Sequence, residues 1–161
     1  MRTHQPSLRT KFPSLLLLPL ILIALTACGF NPAAILNRSA LESQAMELIL
    51  EGYMASMMVG DTTLAHMLFT TNLQAERSEA MLLEEINGSG AIAYEGFHSV
   101  RLFLVERIQG STDYEEVRNV VAMIQYENGE TGVIGAQMVA EADSWAINSI
   151  EVYVSPERKL Q

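Results

Sequence analysis

At Gly96 the hydrophobic period of the chain changes, and this constrains the fold more than any other feature. Four stretches follow, 97–109, 116–127, 131–142 and 145–154, each of strand length and rich in β-branched, aromatic or alternating residues. Asn128-Gly129, between the second and third, supplies the positive φ angles of a tight type I′ hairpin. Ala142-Asp143-Ser144 makes another short reversal. Strands joined so briefly pair as antiparallel neighbours. A meander is expected, with residues 91–95 as a short extra strand.

Before Gly96 the pattern is helical. Ser39-Ala40-Leu41-Glu42 reads as a capping box, in which the serine oxygen and the glutamate satisfy backbone N–H groups at a helix start, so a first helix is expected over 40–59. At about 100° per residue, Leu41, Ala45, Leu48, Ala55 and Val59 line one side and Met46, Leu50, Tyr53 and Met57 an adjoining one. Only Gln44, Glu47 and Glu51 make a polar stripe, so this helix needs cover from more than one element. Gly60 can end it in a left-handed conformation, and Asp61 is placed to cap a second helix over 62–69. Thr71-Asn72-Leu73-Gln74 opens a third, running to Asn87-Gly88, with Leu73, Ala80, Leu83 and Met81 inward. The class is α+β: three N-terminal helices packed on a curved, four- to five-stranded antiparallel sheet.

The first 27 residues read as an export signal. Arg2, Arg9 and Lys11 precede an apolar run over 15–27, interrupted once by Pro19, and no acidic residue occurs before Glu42. The run is shorter than the roughly 18 apolar residues of a spanning helix. Its end, Leu25-Thr26-Ala27-Cys28, resembles the lipobox of bacterial lipoproteins. That resemblance implies cleavage between Ala27 and Cys28, diacylglycerol on the Cys28 thiol and further acylation such as palmitate. One acyl chain at about 0.8 kcal/mol per buried methylene holds only marginally, whereas several make a stable anchor. Cys28 is the single cysteine, which excludes an internal disulfide. Gly29 stands where an aspartate would favour retention at the inner membrane, so an outer-membrane address is expected in a host with two membranes. The resulting division is a signal peptide (1–27), a lipidated cysteine with a short tether (28–38), one domain (39–155) and a frayed tail (156–161).

Composition narrows the partners. Three of the ten basic residues and none of the nineteen acidic ones precede Cys28, leaving seven against nineteen and a formal charge of −12 with histidines neutral. Such a field repels phosphate backbones, which excludes nucleic acid as a partner. The acidic residues are scattered, as on a solvated surface.

The order of elements resembles the nuclear-transport-factor-2-like superfamily, also described as the cystatin-like cone or SnoaL-like fold, and particularly its secreted lipoprotein branches of uncharacterised function. The residues that carry this are Gly60-Asp61 after the first helix, Asn128-Gly129-Glu130 in the hairpin and Trp145-Ala146-Ile147 opening the last strand. The resemblance implies a bent sheet around the helices with a conical cavity. Some members isomerise or dehydrate small molecules inside the cone and many only bind.

Tyr53, Met57, Tyr94, Tyr126 and Trp145 are the candidate lining of such a pocket, because an apolar ring with a polar edge suits a ligand; the alternative for each is ordinary core. His66 and His98 are the histidines outside the signal and the only candidates for an acid–base role, although neither sits in a recognisable motif. Met54, Met57, Met58 and Met67, with His66 alongside, form a thioether group that a cuprous ion could use, but methionine also fills irregular cores, and core packing is the preferred reading. No zinc-ligand spacing, phosphate-binding glycine loop or serine nucleophile elbow occurs, and neither cofactor nor metal is expected. The functional expectation is a lipid-anchored envelope module that binds an apolar small molecule or a protein without catalysis. An isomerase- or cyclase-like enzyme using His66 or His98, and a structural homodimer formed through the open sheet face, are the alternatives.

Overall fold

The structure, a computed structural model, describes residues 32–110, 113–155 and 158. The expected export signal, with Ala27 and Cys28, lies outside the described residues, and none of the described helices is long and apolar enough to cross a membrane. The chain divides into two units, Met1–Arg38 and Ser39–Gln161, and the second contains the sheet and the hydrophobic core.

Four α-helices precede four strands: α1 (Pro32–Val59), α2 (Thr62–Met67), α3 (Thr71–Glu76), α4 (Glu79–Asn87), a 3-10 turn (Ala91–Ala93), then β1 (Phe97–Ile108), β2 (Val117–Tyr126), β3 (Thr131–Glu141) and β4 (Ser144–Val154). The strands form one open antiparallel sheet in the order β1-β2-β3-β4. The chain is therefore α+β with its helices first, as the change of period indicates.

Several boundaries differ from the sequence reading. The first helix begins at Pro32, so residues 32–38 of the expected tether are helical and Ser39 lies inside the helix. Proline suits a first helical position because its fixed φ is already helical and its missing N–H has no intrahelical partner there. The other end of α1 conforms: Gly60 takes φ 78°, Asp61 N–H donates to Ser56 O at 2.8 Å and Gly60 N–H to Met57 O at 3.2 Å, which together close the last turn. Asp61 then caps α2, its Oδ1 accepting from Leu64 N–H at 3.0 Å.

The expected third helix is two. Helical geometry breaks at Arg77, and Ser78 starts α4 afresh by accepting from Met81 N–H at 3.4 Å. Restarting resets the helical phase, so Leu82 faces the core while Met81, Leu83 and Ala80 are exposed. The expected strand over 91–95 is the 3-10 turn, and the sheet has four strands.

The face of α1 that meets the sheet is narrower than its hydrophobicity suggests. Met46, Leu50, Tyr53, Met54 and Met57 are buried at the spacing of one stripe, whereas Leu41, Leu48 and Val59 are exposed. The sheet covers the stripe from one side with Val120, Ala122 and Ile124 of β2, Ile134, Ala136 and Met138 of β3 and Ile147 of β4. Phe69 ties the helical half to the sheet edge. It pairs with Ile147 in a parallel bridge, in which Ile147 N–H donates to Leu68 O and Thr70 N–H to Ile147 O, both at 2.9 Å.

The hairpin at Asn128-Gly129 is present but is not type I′. Only Gly129 has a positive φ, 86°; Gly129 N–H donates to Tyr126 O at 3.0 Å and Tyr126 N–H to Glu130 O at 3.1 Å. This is a three-residue loop in which glycine takes the left-handed bulge position. Asn128 contributes its side chain instead, Oδ1 accepting from Glu130 N–H at 3.0 Å.

Candidate functional site

Two clefts of this unit lie at one end of the sheet, where the chain doubles back after α4. Added Cβ atoms would stand 2.9 Å from Glu84 O at Gly88 and 2.9 Å from Glu85 Cγ at Gly90, so a side chain at the first would collide with the backbone of α4 and one at the second would displace the Glu85 side chain. The product of the reversal is the 3-10 turn, which holds Ala93 and Tyr94 in the core and presents Ile92 between the two clefts.

The first cleft, about 390 Å³, is lined by Ile92, Glu95, Gly96, Glu127, Asn128 and Arg158. Arg158 is only 5% exposed. Its guanidinium lies 3.6 Å from the centre of the Tyr126 ring, donates to Ile92 O at 2.9 and 3.3 Å and to Glu130 Oε2 at 3.2 Å, and also donates to Glu95 O. Residue 158 is thus latched, in contrast to the frayed tail expected over 156–161; the rest of that tail, apart from this residue, lies outside the described residues. The second cleft, about 470 Å³, is lined by Ser89, Gly90, Ile92 and Ala93 on one side and by Val152, Tyr153 and Val154 of β4 on the other.

The five candidate pocket residues stand elsewhere. Tyr53 and Met57 are wholly buried in the core, and Tyr94 beside them is 2% exposed. Tyr126 is buried beneath Arg158 and donates its hydroxyl to Ala93 O at 2.8 Å. Trp145 is half-buried at the opposite end of β4, with the Arg118 guanidinium 5.4 Å above its ring. None of the five borders either cleft, and where the resemblance implies a cavity between helix and sheet, methionine, tyrosine and aliphatic side chains occupy the interior.

The histidines border neither cleft. His66 Nε2 is 3.1 Å from Gln74 O, and its ring meets Phe69 edge-on at 6.2 Å between centroids. His98 is exposed on β1. The methionines do not converge on an ion: Met54 and Met57 are in the core, while Met58 and Met67 are exposed. Among the described residues no group of three or more His, Cys, Asp or Glu side chains is placed to hold a metal.

Two polar networks were not legible beforehand. One is buried behind the 3-10 turn: the Tyr53 and Tyr94 hydroxyls are 3.2 Å apart, Tyr94 donates to Glu85, and Glu85 accepts from Arg77, whose guanidinium lies 5.6 Å from the Phe69 ring. Burial, reinforced by the Glu85 charge, pushes the Tyr53 phenol up to about 12, and burial with its tyrosine and glutamate neighbours pushes Tyr94 up as well. Above the ordinary tyrosine value of about 10 the unfolded chain releases protons that the folded chain retains, so stability falls as pH rises. We expect the thermal midpoint to be insensitive to these phenols below about pH 9.5 and to decline between about pH 10 and 12, with Tyr53→Phe flattening that decline. Thermal melts across this range check it, with tyrosinate absorbance reporting the folded-state titration.

The second network crosses the β4 bulge. Asn148 donates to Gln137 Oε1 at 2.8 Å and accepts at 3.2 Å from both Thr70 and Tyr114. This ties the loop before β2 to the β4 edge.

The titratable side chains bordering the clefts are Glu95, Glu127, Arg158 and Tyr153, and the Arg158 donors are already committed. The arrangement offers backbone groups and apolar contacts suited to binding, with no base paired to a nucleophile along either lining. No protein-family model matches the chain, and no curated protein matches it as a relative.

Proposed function

We propose that this chain is an exported bacterial lipoprotein, anchored through lipid on Cys28, whose domain over 39–155 is a non-catalytic binding module related to the nuclear-transport-factor-2-like cone. The observation that carries the binding reading is the second cleft, an open slot of about 470 Å³ with apolar and backbone lining at the end of the sheet. The filled interior and the placement of His66 and His98 away from both clefts favour binding over cone-type catalysis. The four matched positions from Leu25 to Cys28 support the anchor.

A second reading, homodimerisation, is favoured by the sheet face turned away from the helices, where Leu104, Met123, Val133 and Tyr153 are exposed. Native mass spectrometry of the protein extracted from bacterial membranes in detergent tests these readings together. The expected species begins at Cys28, carries the mass of diacylglycerol and acyl chain, and holds an additional molecule or protein that leaves on denaturation. An unmodified Cys28 defeats the anchor, and an empty monomer defeats the retained-ligand reading. A lipidated dimer without added mass moves the function to assembly.

A further inference from the structure

The two-way alternation of backbone groups along β3 identifies which groups of β4 point out of the sheet. Tyr126 N–H donates to Glu130 O at the hairpin, so in the registered pairs that follow, Gly132, Ile134, Ala136 and Met138 direct their backbone groups toward β2. The intervening residues Val133, Gly135 and Gln137 direct theirs toward β4, where they face Tyr153, Glu151 and Ser149. Ile147, Ile150, Val152 and Val154 therefore direct N–H and C=O away from the sheet. Ile147 bears this out, since its N–H and C=O are the groups that bond Leu68 and Thr70. Beyond the bulge near Asn148, the outward groups of Ile150, Val152 and Val154 have no backbone partner among the described residues.

Val152 and Val154 also wall the second cleft, with Ser89, Gly90, Ile92 and Ala93 opposite. We propose that this slot receives an extended peptide segment of another protein, which adds as a fifth strand along β4 from Ile150 to Val154. The inference rests on the reading of this chain as a binding module and names its partner class. A row of donors and acceptors at strand spacing is recognised by another strand, whose own groups repeat at the same interval. The cleft beside β4, about 470 Å³, is of a size for a few residues of one segment, whereas a second copy pairing through β4 would bring its own wall of Ser89, Gly90, Ile92 and Ala93 with it. Alternate side chains of the added strand fall toward Ile92 and Ala93, which selects apolar residues there. The excess of acidic residues over basic ones in the chain favours neutral or basic residues at the intervening positions.

The test uses the full chain and two proline variants. The proline in Val152→Pro removes a donor that points away from the ladder, whereas in Tyr153→Pro it removes one that bonds β3. Because the Val152 side chain packs against the core, each proline is compared with alanine at the same position: Val152→Pro is expected to match Val152→Ala in unfolding midpoint and Tyr153→Pro to fall clearly below Tyr153→Ala; equal extra loss from the two prolines overturns the assignment of outward groups. A displayed library of random heptapeptides is then selected on the parent chain. Enriched peptides are expected to alternate apolar residues, to slow amide exchange at Val152 and Val154 by about tenfold or more, and to lose about tenfold or more in affinity on Val152→Pro. Absence of enrichment, or peptides indifferent to Val152→Pro that leave those amides unprotected, overturns strand addition. A small molecule retained in native mass spectrometry alongside that result would leave the broader binding reading standing.

Discussion

Arg158→Ala is expected to lower the unfolding free energy by about 3 kcal/mol and the thermal midpoint on the order of 10 °C. The substitution removes more than one contact. Ile92 O and Glu95 O lose their guanidinium donors, Glu130 loses its counter-ion and the Tyr126 ring loses its cover. Groups left without partners in a nearly dry site cost more than the original bonds contribute net. Arg158→Lys should recover less than half, because a single ammonium cannot reach two carbonyls and a carboxylate while lying flat on a ring. Denaturant titration of the three proteins decides it; an alanine variant within about 0.5 kcal/mol of the parent would mean the latch is incidental.

Phe69→Ala should cost about 4 kcal/mol, in the range of large-to-small aromatic deletions in a packed interior. Phe69 is 2% exposed, its ring centroid lies 5.7 Å from that of Tyr53 and 5.6 Å beneath the Arg77 guanidinium, and its backbone bridges Ile147. Truncation leaves a cavity where the helical half meets the sheet edge, next to the buried tyrosine pair. Phe69→Leu refills much of that volume and should cost about 1–1.5 kcal/mol. The same titrations check the ratio; near-equal losses would show that the aromatic contacts, rather than the filled volume, carry the stability.

What was legible in the sequence is what local chemistry determines. Strand starts at Phe97 and Thr131 coincide with expectation, and so do the end of α1 at Val59, the left-handed Gly60 and the Asp61 cap, because each depends on residues within one turn. The packing face of α1 was only half legible. Leu41 and Leu48 are as apolar as Leu50, and nothing local says that the sheet covers one stripe only. The choice of Leu82 over Leu83 depended on the helix restarting at Ser78, for which Ser78-Glu79 was an available signal. Tyr53 meets Tyr94 across 41 positions, and Arg158 meets Ile92 across 66, distances at which periodicity carries no information. The clefts were missed for the same reason: their walls come from a glycine-dependent reversal and a strand edge, while the tyrosines that looked ligand-like, Tyr53, Tyr94 and Tyr126, are buried in the interior.

The meander has a consequence for the order in which the chain can acquire structure. Each strand pairs with the next in sequence, so the sheet can grow by short loop closures once its residues are present. The stripe of Met46, Leu50, Tyr53, Met54 and Met57 comes earlier in the chain than every strand that covers it. A chain delivered from its N-terminus therefore presents this stripe to its surroundings before β2, β3 and β4 have arrived, and shielding it is the task of whatever accompanies the emerging polypeptide.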